Sequence, residues 1–196
     1  MRFLLIGSIL LLASACTPFG PTKPDLPAEQ LLAQREAQLK QIDEWSFRGR
    51  TLIQQGKEGW NAGVNWQQNA ADFHIQLTGP FSQGGVELSG NAQQVELRTS
   101  EGDHYVADTP EQLLEQVLGW RLPVSALRDW VKGLPYADEP VQLKEINDNG
   151  QLVLLQQAGW EVSFIRYVPF AGQTIPDKIF IKRDDLSMRL VISRWQ

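Results

Sequence analysis

Apolar and polar residues alternate with a period of two over most of the chain, which predicts a sheet. Trp45, Phe47, Gly49, Thr51 and Ile53 alternate with Ser46, Arg48, Arg50 and Leu52. Beyond Gly56-Lys57-Glu58-Gly59, Trp60, Ala62, Val64 and Trp66 alternate with Asn61, Gly63, Asn65 and Gln67. Phe73, Ile75 and Leu77 alternate with Asp72, His74, Gln76 and Thr78; Val86 and Leu88, then Val95 and Leu97, continue across a Gly90-Asn91 turn. A short strand is expected near His104 to Ala107. Further along, Val141 to Ile146, Leu152 to Gln157, Trp160 to Tyr167, Lys178 to Arg183 and Ser187 to Trp195 read as strands, with turns at Asp148-Asn149-Gly150 and Ala158-Gly159. About eleven strands are expected, forming a mainly β (α+β) antiparallel meander.

Three stretches carry helical spacing instead. Pro27 stands at a favoured first-turn position, followed by Leu31, Leu32, Arg35 and Leu39 up to about Ile42. Asp108-Thr109-Pro110-Glu111 reads as a helix start, running through Leu113, Leu114, Val117 and Leu118 to Gly119. Pro123 opens another, with Val124, Leu127, Trp130 and Val131 on one side and Gly133 and Pro135 at its end.

The apolar face of the predicted sheet is rich in large rings: Trp45, Phe47, Trp60, Trp66, Phe73, Trp160 and Phe164. Taken singly, each is ordinary core. Together, on a curved sheet of about eleven strands, they enclose more space than a few short helices fill, which implies an apolar cavity under a helical lid. The ligand contacts expected from alternation are Trp45, Phe47, Trp60, Trp66, Phe73 and Phe164, with Leu127 and Trp130 from the lid. A bulge would flip any strand's set. Asn and Gln on the opposite faces suit water outside and argue against a membrane-spanning barrel.

The amino end alters the picture. Arg2 precedes an apolar run, Phe3 to Leu12, that is shorter than the about 20 residues a spanning helix needs. It ends in Leu12-Ala13-Ser14-Ala15-Cys16, which resembles the lipobox of bacterial lipoproteins. That resemblance implies a signal peptide at 1–15 and a lipid on Cys16. The alternative, an ordinary secretory signal cut after Ala15, would leave the chain's only cysteine as an unpaired thiol in an oxidising compartment. Thr17 stands where Asp would resemble the inner-membrane retention signal, so the outer membrane is the expected destination, on its periplasmic face. Pro18, Pro21, Pro24 and Pro27 make 16–27 a tether, reaching roughly 30 Å or less at about 3.1 Å per residue. Residues 28–196 then form a single domain, expected to be a monomer.

Without residues 1–15 the chain keeps 17 of its 18 basic residues against 23 acidic ones, a net charge of −6. That argues against nucleic acid as a partner and supplies no polybasic patch for anionic lipid. Enzymes are disfavoured too. No Gly-x-Ser-x-Gly elbow occurs, His74 and His104 have no metal-ligand spacing, and Asp103 and His104, as strand neighbours, point to opposite faces. Arg128 and Asp129 are expected to be solvated or paired on their helix, and Arg48 and Arg50 to solubilise the outward sheet face.

Two segments carry a family resemblance. Phe73-His74-Ile75-Gln76-Leu77-Thr78-Gly79-Pro80-Phe81-Ser82, followed by Val86-Glu87-Leu88, resembles a strand–loop–strand of the outer-membrane lipoprotein LolB family. Ser125-Ala126-Leu127-Arg128-Asp129-Trp130-Val131-Lys132-Gly133-Leu134-Pro135 is similar to that family's helix motif. The order of elements and the lipobox agree over nearly the whole mature chain. The resemblance implies an incompletely closed antiparallel β-barrel with a helical lid. It also implies a receptor that accepts acylated lipoproteins from the periplasmic carrier LolA and inserts them into outer-membrane lipid, without nucleotide, metal or other cofactor. Pro80 and Phe81 fall where the family places an exposed hydrophobe, implying a membrane-insertion loop; the family usually has an aliphatic residue there. Folding back as a plug on the barrel end is the alternative for Phe81. A scaffold lipoprotein, or a carrier of another apolar ligand on the same fold, remains the rival function.

Overall fold

The computed structural model describes residues 26–79 and 84–196. The alternating segments form eleven strands: β1 (Glu44–Gln55), β2 (Glu58–Asn69), β3 (Asp72–Thr78), β4 (Gly85–Gly90), β5 (Val95–Thr99), β6 (His104–Ala107), β7 (Val141–Ile146), β8 (Leu152–Gln157), β9 (Trp160–Phe170), β10 (Gln173–Arg183) and β11 (Leu186–Trp195). The helices are α1 (Ala28–Leu39), α2 (Pro110–Leu118) and α3 (Val124–Trp130). Helix α1 begins just after Pro27, which occupies the N-cap, and stops at Leu39 rather than near Ile42.

All strands belong to one antiparallel sheet in the order β6-β5-β4-β3-β2-β1-β11-β10-β9-β8-β7. The edges β6 and β7 do not pair, so the sheet curves without closing. They are consecutive in the chain, and the connection between them has to cross the open side. That connection carries α2 and α3. Helix α2 packs on β5 and β6 and touches α3, while α1 packs on β7 and β10.

Local chemistry fixes the crossing segment. The Thr109 hydroxyl accepts from the Gln112 amide at 3.3 Å, Pro110 opens α2, and Gly119 ends it in the left-handed conformation at φ 72°. Pro123 gives α3 no side-chain cap. Glu111, in the first turn of α2, supplies one instead by accepting from the Ser125 amide at 2.7 Å. The two helices are thereby stapled at their starts.

At the central seam β1 meets β11, and the register slips between Arg48 and Gly49. There a Cβ on Gly49 would collide with the Val191 carbonyl oxygen. The slip leaves Ser193 without an opposite residue and reverses the facing of the last residues of β11, so Arg194 is exposed and Trp195 turns inward. Trp195 lies 5.1 Å from Phe47, 5.6 Å from Trp45 and 5.6 Å from Phe170, ring centre to ring centre.

Candidate functional site

Inward residues of the amino-terminal half sheet and of β11 face the crossing segment and leave an apolar cavity between them. Phe47, Thr51 and Ile53 of β1, Val64 and Trp66 of β2, Ile75 and Leu77 of β3, Val86 and Leu88 of β4, and Met188 and Leu190 of β11 form its sheet wall. Leu114 of α2, Trp120 and Leu122 of the linker, and Val124 and Leu127 of α3 form its roof. Its volume is about 60 Å³. A cavity of about 150 Å³ is of the size that holds one benzene, so this form of the molecule is closed. As it stands this volume has no room for an acyl chain.

A second hollow, of about 750 Å³, opens at the barrel end where Gly79 and Gly84 flank the β3–β4 loop. Trp60, Tyr105, Val117 and Trp120 contribute to its wall. Leu77, Val86 and Trp120 belong to both hollows. The outer groove and the inner cavity therefore share a wall that includes Trp120, whose ring lies 5.4 Å from that of Trp60.

The structure divides the residues expected to contact ligand. Phe47, Trp66 and Leu127 line the cavity. Trp60 lines the outer groove. Trp45 stacks on Phe47 and meets Trp66 at 5.4 Å, and with Phe73 it faces a more polar hollow at the opposite barrel end. Phe164 is buried in the carboxy-terminal half, 6.4 Å from Tyr167. Trp130 is fully buried, and its indole N–H donates to Gln157 Oε1 at 3.0 Å. Neither Phe164 nor Trp130 reaches the cavity wall. Cys16, Pro80 and Phe81 lie outside the described residues.

Alternation does not single out Trp120 or Trp195, and it does not announce two buried polar positions. Gln157 is wholly inaccessible, and its amide is saturated: it accepts from Trp130 and from the Tyr136 amide at 2.9 Å, and donates to the carbonyls of Tyr136 at 2.8 Å and Glu139 at 2.6 Å. Lys132 is buried beside Asp129, with Nζ 3.8 Å from the carboxylate. Burial holds the Asp129 carboxyl above its ordinary value, and Lys132 pulls it partly back; burial likewise lowers Lys132. Asp129 is therefore paired rather than solvated.

Known proteins supply the relationship. The profile of the family described as "Outer membrane lipoprotein LolB" matches residues 43–195. The chain belongs to the LolB family. Relatives named outer-membrane lipoprotein LolB include one from Nitrosococcus oceani, 36% identical over 195 residues, covering 100% of this chain and 97% of that one. Another, from Pseudomonas paraeruginosa, is 34% identical over 200 residues, covering 100% and 96%. Among solved structures, a LolA-superfamily protein from Nitrosomonas europaea superimposes with a TM-score of 0.53 at 8% identity, covering 87% of this chain and 93% of that one. A DUF1329-family protein from Desulfovibrio piger gives 0.50 at 8% identity, covering 86% and 91%. At such identities these neighbours speak for the fold alone, which here is the eleven-stranded sheet expected from the alternation, left open as the LolB family resemblance implied. No helix among the described residues is long and apolar enough to cross a membrane.

Proposed function

We propose that this LolB-family chain is an outer-membrane receptor that takes acylated lipoproteins from a LolA-type periplasmic carrier and inserts them into the membrane. The observation that carries the reading is the apolar cavity roofed by a segment that crosses an unclosed sheet edge. Among the described residues no backbone–backbone hydrogen bond ties that roof to the sheet, so it can lift without breaking a strand pair. Each acyl methylene removed from water contributes about 0.8 kcal/mol, so the chains need continuous cover until they reach lipid. Release into a bilayer runs downhill and needs no cofactor or covalent step.

In this reading residues 1–15 are the signal peptide, the lipid on Cys16 anchors the chain at the periplasmic face of the outer membrane, 16–27 are the tether, and 28–196 the working domain. Pro80 and Phe81 form the loop that touches the membrane. What supports that reading is that Gly79 and Gly84, which precede and follow these residues along the chain, line the outer groove. A single Phe contributes a few kcal/mol at most, roughly 3, enough to orient a tethered domain. The aromatics Trp45, Phe47, Trp60, Trp66, Phe73 and Phe164, with Leu127 and Trp130, line or buttress the path of the chains.

The test uses the mature chain with Cys16 replaced, mixed with LolA carrying a crosslinkable lipoprotein. Transfer to this chain is expected, and Phe81→Glu is expected to keep transfer but lose at least about tenfold in delivery to liposomes. No transfer to a folded chain would sink the receptor reading and favour a scaffold.

A further inference from the structure

Among the described residues, two side-chain polar atoms are fully buried without any hydrogen-bond partner: Thr51 Oγ1 and Trp120 Nε1. Both residues belong to the wall of the same closed apolar cavity, Thr51 on the sheet side and Trp120 on the roof. An unpaired buried hydroxyl or indole N–H is unfavourable, and native folds nearly always avoid it. This fold also shows that it satisfies polar groups where their role is structural, as at Gln157, whose amide makes four hydrogen bonds. Valine would fill the space of Thr51 on a β-strand without an orphaned group. Packing therefore accounts for neither the hydroxyl of Thr51 nor the indole nitrogen of Trp120.

We infer that Thr51 and Trp120 are the polar contacts of the acyl site, donating hydrogen bonds to a carbonyl oxygen at the head of a bound acyl chain once the roof lifts. This rests on the acyl-binding reading of the cavity and adds to it the part of the lipid that is recognised. A hydrocarbon tail has no acceptor, so two donors in an apolar wall would discriminate acyl groups from other grease. They also give the bound state a partner that the closed state lacks, so the empty site carries a bias toward capture. The ester carbonyls of a diacylglyceryl group and the amide carbonyl of an N-acyl chain share this chemistry.

The experiment compares binding of radiolabelled methyl palmitate, N-methylpalmitamide and nonadecane to the mature chain with Cys16→Ser, counted after rapid gel filtration. Thr51→Val, made in that background, is expected to weaken methyl palmitate, the amide or both about fivefold, the equivalent of one net hydrogen bond, and to leave nonadecane unchanged. Its melting temperature should equal or exceed the parent's, because an orphaned hydroxyl is gone. Trp120→Phe should show the same selectivity. Loss confined to the ester assigns the diacylglyceryl carbonyls; loss confined to the amide assigns the N-acyl carbonyl. Equal losses on all three ligands, or none, would overturn the inference while leaving the acyl cavity standing. If the parent binds none of the three, the acyl-cavity reading itself fails, and this inference with it.

Discussion

Trp120 and Trp130 stand ten positions apart in the segment that crosses the open side of the sheet, and they are treated in opposite ways. Trp130, at the end of α3, is completely enclosed, and its indole N–H is bonded to a glutamine that is itself saturated. Trp120, in the linker before α3, is buried too, yet its N–H bonds to nothing and its ring borders a cavity on one side and a groove on the other. One end of the roof is fixed to the carboxy-terminal half of the sheet. The other rests on the amino-terminal half through apolar contacts. The lifting roof of the proposed function needs this asymmetry: uniform packing would hold the roof shut, and uniform looseness would not return it.

The contrast can be broken hardest at Gln157. Gln157→Leu strips partners from the Trp130 N–H, the Tyr136 amide and two carbonyls, and should cost about 4 kcal/mol in urea unfolding; a loss below about 1 kcal/mol would mean that the fixed end is not fixed by this amide. The same substitution in both rings is sharper. Trp130→Phe should cost about 3 kcal/mol and Trp120→Phe about 1 kcal/mol or less, since only the first abandons a hydrogen bond in a packed site. Equal costs would erase the distinction.

Lys132→Met probes the fixed end by pH. Burial raises the Asp129 carboxyl and Lys132 opposes that rise, so removing Lys132 lifts it further. The folded chain then keeps a proton that the unfolded chain, near the ordinary value of about 3.9, has released. The stability from that proton is complete below the unfolded value and is lost as pH rises through the folded one. The variant should therefore lie near the parent at pH 4 and fall about 2 kcal/mol below it at pH 7; a deficit independent of pH would contradict the pairing. The smallest effect is expected for Glu111→Ala, which unstaples α3 from α2 at a cost of about 1 kcal/mol and should speed acyl uptake, measured by stopped-flow fluorescence.

Much of the asymmetry's frame was legible in the alternation. Strict period two from Trp60 to Gln67 and from Asp72 to Thr78 marked those strands and their inward rings, and Thr109-Pro110 with Gly119 marked both ends of α2. The site was less legible, for identifiable reasons. Trp120 lies between Gly119 and Pro123, where no period operates and nothing local says which way a ring points. Trp195 owes its inward facing to an unpaired Ser193, a property of the seam rather than of the strand. Trp130 and Phe164 share the apolar pattern of the cavity residues, but whether an inward ring meets a neighbour or a void depends on how the roof is set. That Gln157 and Lys132 are buried reflects partners 21 and 90 positions away.

The seam between β1 and β11 also bears on how the molecule comes together. Every other pairing joins consecutive strands and can form as soon as a short turn closes. Residues 44–55 must instead wait for residues 186–195, so the first strand to emerge is completed by the last. A chain released amino end first holds a bare edge and an uncovered aromatic face for the whole interval, the combination most prone to stick to other chains. Loss of the final strand would then yield two sticky half sheets rather than a smaller working domain, and a helper that shields the β1 edge would act at the slowest step of folding.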